Sequence, residues 1–345
     1  MDLKRGQLDE AVARGLISAA QADGLWELLS GQAGQHPGLR LTHVLYYLGG
    51  LIAIGAMTLF MNLGWERFGG WGLLGIALAY AGAGLWLTHH WLARGLNLPA
   101  GLAGAIVIAL TPLAVYGLQT GLGWWAEGRV YRDYHRLVDW RWLMMELATL
   151  ATGTLMLWRH RLPFLVMPLA VTLWYLGMDL TPLLFDSRDP ALTWELRKLV
   201  SLLFGAAMLT LAFWVDLRTR HDLDYAFWLY LFGLLSFWGG LSLLKSDSEL
   251  GRLGYFCINL LLILLAPLLG RRVFAVFGGL GAAGYLGHLA WTLFRDSLLF
   301  PFALTALGLG VVWLGVLWQR HERELSLRLR AQLSPALREL LQARQ

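Results

Sequence analysis

The sequence predicts an all-α membrane bundle of about ten spans. Three observations point there: long apolar runs recur along most of the chain, charge is scarce, and Trp and Gly are abundant. Of 345 residues, 57% are hydrophobic, the mean hydropathy is +0.54 and only 15% are charged. An ordinary soluble domain carries about 25% charged residues, because water must be met by polar groups. The deficit is explained when most of the surface faces lipid. Eighteen Trp and forty Gly agree with this: Trp anchors helix ends at the headgroups and Gly lets membrane helices approach closely.

Three regions follow from the pattern: a cytosolic helical hairpin and linker at 1–40, a membrane domain at 41–319 and a basic amphipathic tail at 320–345. In the first, Leu8, Ala11, Val12 and Leu16 form a helical stripe that Gly15 breaks. Ser18 and Gln21 have capping-box spacing and open a second helix, with Ala22, Leu25, Leu28 and Leu29 on one face. Two roles suit this hairpin, a cap on the membrane domain or a docking site through residues 1–30 for a soluble partner. No cleavable signal peptide is expected, since residues 1–40 are polar and the first apolar run is long enough to span.

The predicted spans run over 43–63, 70–88, 98–118, 141–158, 162–179, 199–216, 225–244, 253–270, 273–294 and 298–318. Each approaches the ~20 apolar residues that cross a bilayer. The narrowest boundaries are Arg159-His160-Arg161 and Arg271-Arg272, and merging two runs gives a nine-span alternative. With ten spans the termini and even-numbered loops hold seventeen Lys and Arg, against eleven on the other side. The positive-inside rule then places both termini in the cytoplasm. In the tail, Leu325, Leu329, Leu333, Leu337 and Leu340 alternate with arginines. Such a helix suits an anionic membrane surface, or alternatively a contact between protomers of a homo-oligomer.

The segment Ala13-Arg14-Gly15-Leu16-Ile17-Ser18-Ala19-Ala20-Gln21-Ala22, followed by many spans, resembles the start of bacterial membrane proteins of domain-of-unknown-function family 2157. The resemblance covers roughly residues 7–30 and the layout behind them. It extends to Gly284-Tyr285-Leu286-Gly287-His288 and to Asp296–Phe302. It implies a bacterial inner membrane and transfers no functional residue.

Ionisable residues at membrane depth are costly and mark the candidate sites. Arg132, Asp139 and Glu146 are spaced by sevens, and His135 and Arg136 share their stripe. Glu146 falls inside the fourth span. His288 falls inside the ninth, seven residues before Arg295, at a depth that would let it meet Glu146 across the bundle. These residues suit a proton, ion or ligand path with Arg132, Arg136 and Asp139 at its mouth. Helix-fixing pairs are the structural alternative. Asp179, Glu195, Arg197 and Lys198 cluster at outer helix ends and would line an outward vestibule or serve as interfacial anchors. Asn259 is expected to bond to a neighbouring helix.

Other chemistries lose ground. Gly279-Leu-Gly281-Ala-Ala-Gly284 fits a dinucleotide fingerprint but lies inside an apolar span, where Gly278/Ala282 and Ala283/Gly287 give helix-contact spacing. Nucleophile elbow, P-loop and zinc motif are all missing. Cys257 is the single cysteine, which excludes an internal disulfide. No cofactor is expected. Clustered arginines between apolar runs argue against nucleic acid, although the pI is near 9.5. Three functions stay open: permeation or transport of a proton, ion or small solute, a non-catalytic scaffold or regulatory subunit, and an enzyme acting on a lipid-linked substrate at the outer surface.

Overall fold

A computed structural model describes residues 17–32, 68–125, 140–184, 190–219, 224–244 and 248–294, with isolated positions within 8–15, 45–56 and 302–313. The described residues are helical, with turns and no strand. The chain divides into two units, 1–57 and 58–345. The predicted tail at 320–345 and most of the first and tenth apolar runs lie outside the described residues.

In the first unit Gly15 has φ 70°, a left-handed turn conformation that Gly adopts without strain. Its N–H donates to the Val12 carbonyl at 2.9 Å. The capping box is formed in both directions. Gln21 N–H donates to Ser18 Oγ at 3.2 Å, and Ser18 N–H donates to Gln21 Oε1 at 2.9 Å. It opens α1 (Ala19–Gln32). Ala22 is buried as its stripe predicts, whereas Leu25, at the edge of that stripe, is exposed.

In the second unit, α2 (Gly69–Ala93) is followed by α3 (Asn97–Ala109) and α4 (Thr111–Gly121). Leu110 joins the last two, and Pro112 explains the joint, since it has no N–H to continue the ladder. Then come α5 (Trp140–His160), a 3₁₀ turn at Pro163–Leu165, α6 (Val166–Leu184) and α7 (Pro190–Arg218). The last three are α8 (Phe227–Leu243), α9 (Glu249–Leu269) and α10 (Arg272–Phe294). Every predicted run from the second to the ninth coincides with helix. Among the described residues, six segments are long and apolar enough to cross a membrane: 69–93, 97–121, 163–181, 192–218, 250–269 and 272–292. α8 is apolar but has 17 residues. α5, which carries Arg141 and Glu146 and ends on Arg159-His160, is not among the six.

The helices pack mainly on their sequence neighbours: α2 on α3 and α4, α5 on both α4 and α6, α7 on α8 and α9 on α10. Small residues make the approaches close. A Cβ on Gly240 of α8 would lie 2.6 Å from the Leu202 nitrogen of α7, so only Gly fits. One core joins α6 to α10 through Ala170, Ala212, Tyr230, Leu234, Leu262 and Phe274. A second joins α3 to α5 through Ala100, Ile108, Met156 and Leu165.

Polarity runs opposite to that of a water-soluble protein. Thr88, Gln119, Glu146, Thr149, Lys198 and Asn259 are buried, while Trp86, Leu155, Trp158, Leu203, Leu250 and Trp291 are exposed. An apolar exterior over a partly polar interior is what a bilayer demands.

Four connections meet on one face. The rings of His89 and His160 stack edge-on at 4.9 Å, linking the ends of α2 and α5. The Tyr225 hydroxyl donates to the Arg161 carbonyl. Arg271, in the α9–α10 turn, donates to Asp216 Oδ1 at 2.6 Å and pairs with Asp224. Arg94, Arg159, Arg161, Arg218 and Arg272 belong to the same connections. These loops are the even-numbered ones of the ten-span reading, so the structure brings them to one side.

Candidate functional site

α5 positions the central acid. Its first turn is fixed from α4: Gln119 Nε2 donates to the Arg141 carbonyl at 3.1 Å, and Trp125 Nε1 donates to Gln119 Oε1 at 3.1 Å. The Arg141 guanidinium bonds to the Trp124 carbonyl and lies 4.5 Å from the centre of the Trp125 ring, a cation–π contact. About one and a half turns further on, Glu146 is 6% exposed. Neither of its carboxyl oxygens has a hydrogen-bond partner among the described residues. A buried, unsatisfied polar group costs about 1–3 kcal/mol and more when charged, so the position is not one that packing alone selects. The acidic group that acts on it is Asp179 of α6.

Asp179 also lines a cavity of about 420 Å³ between α5, α6, α7 and α8. Trp142, Trp174, Tyr175 and Trp194 give it aromatic walls, and Arg197 and Lys198 bring positive charge from α7. The volume lies toward the small end of ligand pockets, which run from about 300 to 1,000 Å³. Lys198 is 3% exposed and its Nζ is 2.5 Å from Glu195 Oε1 on the same helix. The buried Arg197 Nε has no hydrogen-bond partner. Of the four residues expected at an outward vestibule, Asp179, Arg197 and Lys198 share this cavity, and Glu195 neutralises one of them.

Other candidates are placed differently. Arg132, His135, Arg136 and Asp139 lie outside the described residues. His288 is exposed on α10, which packs on α9 and α8, and no hydrogen bond or ion pair joins it to Glu146. Its carbonyl accepts from Thr292 Oγ1 at 2.9 Å. The register explains the exposure. Gly281 faces Asn259 and Tyr285 stacks on Phe256, which puts His288 level with the first turn of α9, where that helix's wall ends. Gly278 and Ala282 do serve the α9 contact, whereas Ala283 is exposed and Gly287 has open space around it. Asn259 bonds across helices as expected, accepting from Trp238 Nε1 at 3.1 Å and donating to the Tyr255 carbonyl at 2.8 Å.

Two arrangements escaped the sequence reading. One is the proximity of Glu146 and Asp179. Its signal was available, because each lies about five to six residues inside the same end of adjacent antiparallel helices. The other is the Arg271 latch. Burial opposes the Arg271 charge, but bonds to Asp224 and Asp216 outweigh it and raise its pKa. Among the described residues no three His, Cys, Asp or Glu side chains gather to hold a metal. No family model matches the chain, and neither a curated protein nor a solved structure matches it.

Proposed function

We propose that the protein is a bacterial inner-membrane protein that passes a proton, ion or small solute across the bilayer, with Glu146 and Asp179 as its ionisable station and the adjoining cavity as its access. The observation that carries this reading is the buried Glu146 carboxyl, unpartnered and set beside a second carboxyl that opens onto the cavity. Two carboxyls close together in a low-dielectric interior are best satisfied by taking up a proton or a cation. His288, first placed as the partner of Glu146, gives way to Asp179 in this scheme. Arg132, Arg136 and Asp139 keep their proposed role as entrance charges on sequence grounds alone.

The ten-span count, cytoplasmic termini and bacterial membrane belong to the same proposal. The gathering of arginine-bearing loops on one face supports the orientation. The likeness of residues 7–30 to family 2157 supports the setting.

Proton and potassium flux through the purified protein in liposomes tests the function, with wild type compared with Glu146→Gln. The reading expects wild-type flux at least tenfold above empty liposomes and its loss in the variant, with both proteins monodisperse. No flux from wild type over a range of pH and potential overturns it.

A further inference from the structure

We infer that the cavity between α5, α6, α7 and α8 binds an apolar molecule bearing a single acid group, held by Arg197 and Lys198 and accompanied by a proton on the Glu146–Asp179 pair. The inference rests on the transport reading and names the ligand class of the same site.

The positive charges decide the acid group. Both come from α7 and both line the cavity. The buried Arg197 Nε has no acceptor among the described residues. Lys198 is 3% exposed, and its ammonium, which has three donors, uses one of them on Glu195. A guanidinium and an ammonium with donors to spare are complemented by a carboxylate or a phosphate. Trp142, Trp174 and Tyr175 give the apolar body flat faces to pack on, and a volume of about 420 Å³ suits a small one. Two sources offer this chemistry: a free apolar organic acid, and the headgroup of an anionic phospholipid.

The carboxyl pair decides the proton. Asp179 is engaged already, with a partner of its own and with the Glu146 carboxyl, so it offers no place to a cationic group. Holding one proton, the pair carries one negative charge. Glu195 answers one α7 cation, and the pair balances the other in number. An acid anion entering at Arg197 upsets that balance, and uncompensated charge is costly in a low-dielectric interior. A second proton on the pair restores it. Uptake of acid and uptake of proton are therefore linked, each favouring the other. The other helices around the pair leave this balance intact. α3 has no ionisable residue, and Tyr116 of α4 lies against Trp125. Arg141 of α5 is bonded to the Trp124 carbonyl, and α8 lines the cavity with Leu235, Gly239, Gly240 and Leu243.

The test uses the full-length protein in phosphatidylcholine nanodiscs, with binding of radiolabelled 4-methylpentanoate measured by scintillation proximity. Ordinary carboxyls titrate near about pH 4–4.5, so this ligand stays ionised at pH 6 and at pH 8. The expected result is saturable binding, at least tenfold tighter at pH 6 than at pH 8. It should also be at least tenfold tighter than that of 4-methylpentanamide or 3-methylbutylamine. Arg197→Gln should abolish the preference for the acid over the amide. Glu146→Gln combined with Asp179→Asn, which makes the pair neutral at any pH, should keep binding and lose its pH dependence. Phosphatidylglycerol in the discs identifies the source. Weakening beyond tenfold assigns the cavity to an anionic headgroup, and any smaller change assigns it to a free acid. No acid binding, an amide that binds as tightly, or an affinity flat between pH 6 and pH 8 overturns the inference on the wild-type protein alone. The proton-flux assay contains no organic acid, so a negative binding result leaves the Glu146 result standing and the two failures stay separate.

Discussion

Asn259 of α9 fills the space that a side chain on Gly281 of α10 would need: a Cβ built on Gly281 would lie 1.9 Å from Asn259 Oδ1. The amide cannot retreat freely, because it accepts from Trp238 and donates to the Tyr255 carbonyl. Gly281→Ala should therefore destabilise the protein by about 1–3 kcal/mol, through strain and broken hydrogen bonds. Asn259→Ala should also destabilise, by stranding the Trp238 N–H. The double variant should cost clearly less than the sum of the two, with a coupling above about 0.5 kcal/mol. Chemical unfolding in detergent micelles measures all three, and strict additivity would refute the matched fit.

The Arg271 latch should be worth more than a surface ion pair. Arg271 and Asp216 side chains are 13% and 9% exposed, while Asp224 is 45% exposed. Arg271→Gln should cost about 2–3 kcal/mol, below the full penalty for a stranded buried charge because Asp224 regains water. Adding Asp216→Asn should restore part of the loss. A cost under 0.5 kcal/mol in the same unfolding assay would show the latch to be energetically idle.

His160 gives the fold a pH dependence. Burial lowers its pKa below the ordinary 6.5, and the neighbouring His89 and Arg159 lower it further. The unfolded chain then binds the proton more readily than the folded one, so stability rises with pH across this window. The contribution is complete above about pH 6.5 and is lost progressively as acid protonates the unfolded imidazole. Tm should fall between pH 7 and pH 5, and His160→Gln should flatten that slope. An unchanged slope would shift the cause to another group.

Sidedness can be read chemically. With the single Cys257 replaced by Ala, new cysteines Arg94→Cys and Arg218→Cys should be shielded from an impermeant maleimide applied outside intact cells. Leu122→Cys and Ser248→Cys should be labelled. Labelling of Arg94→Cys and Ser248→Cys from the same side would break the alternation of loops on which the ten-span reading depends.

The apolar runs fixed where helices fall, because lipid imposes a composition that no turn shares, and eight successive runs became helix. Ser18 and Gln21 were readable for the same local reason: both halves of a capping box lie within four residues. Facing was less legible. Gly281 and His288 are seven apart and share a stripe, yet one is buried and the other exposed, since the partner helix runs alongside only the first. Glu146 betrayed itself by depth, but its neighbour Asp179 lies 33 positions away on another helix, and only packing selects it over His288. The Leu110 joint had a local signal in Pro112 that a hydropathy window averages away.

The pairing of α7 with α8 and of α9 with α10 also bears on how the protein is made. A membrane helix emerging alone exposes its polar face, such as Glu146 or Asn259, to lipid until a partner covers it. For α7 and α9 the partner is the helix synthesised immediately afterwards, so α7 with α8 and α9 with α10 can each leave the translocation machinery already mated, whereas α5 packs on α4 before it as well as on α6 after it. Contacts between pairs then form by docking of finished hairpins, and a premature stop between two hairpins would release a fragment whose polar seams are largely covered.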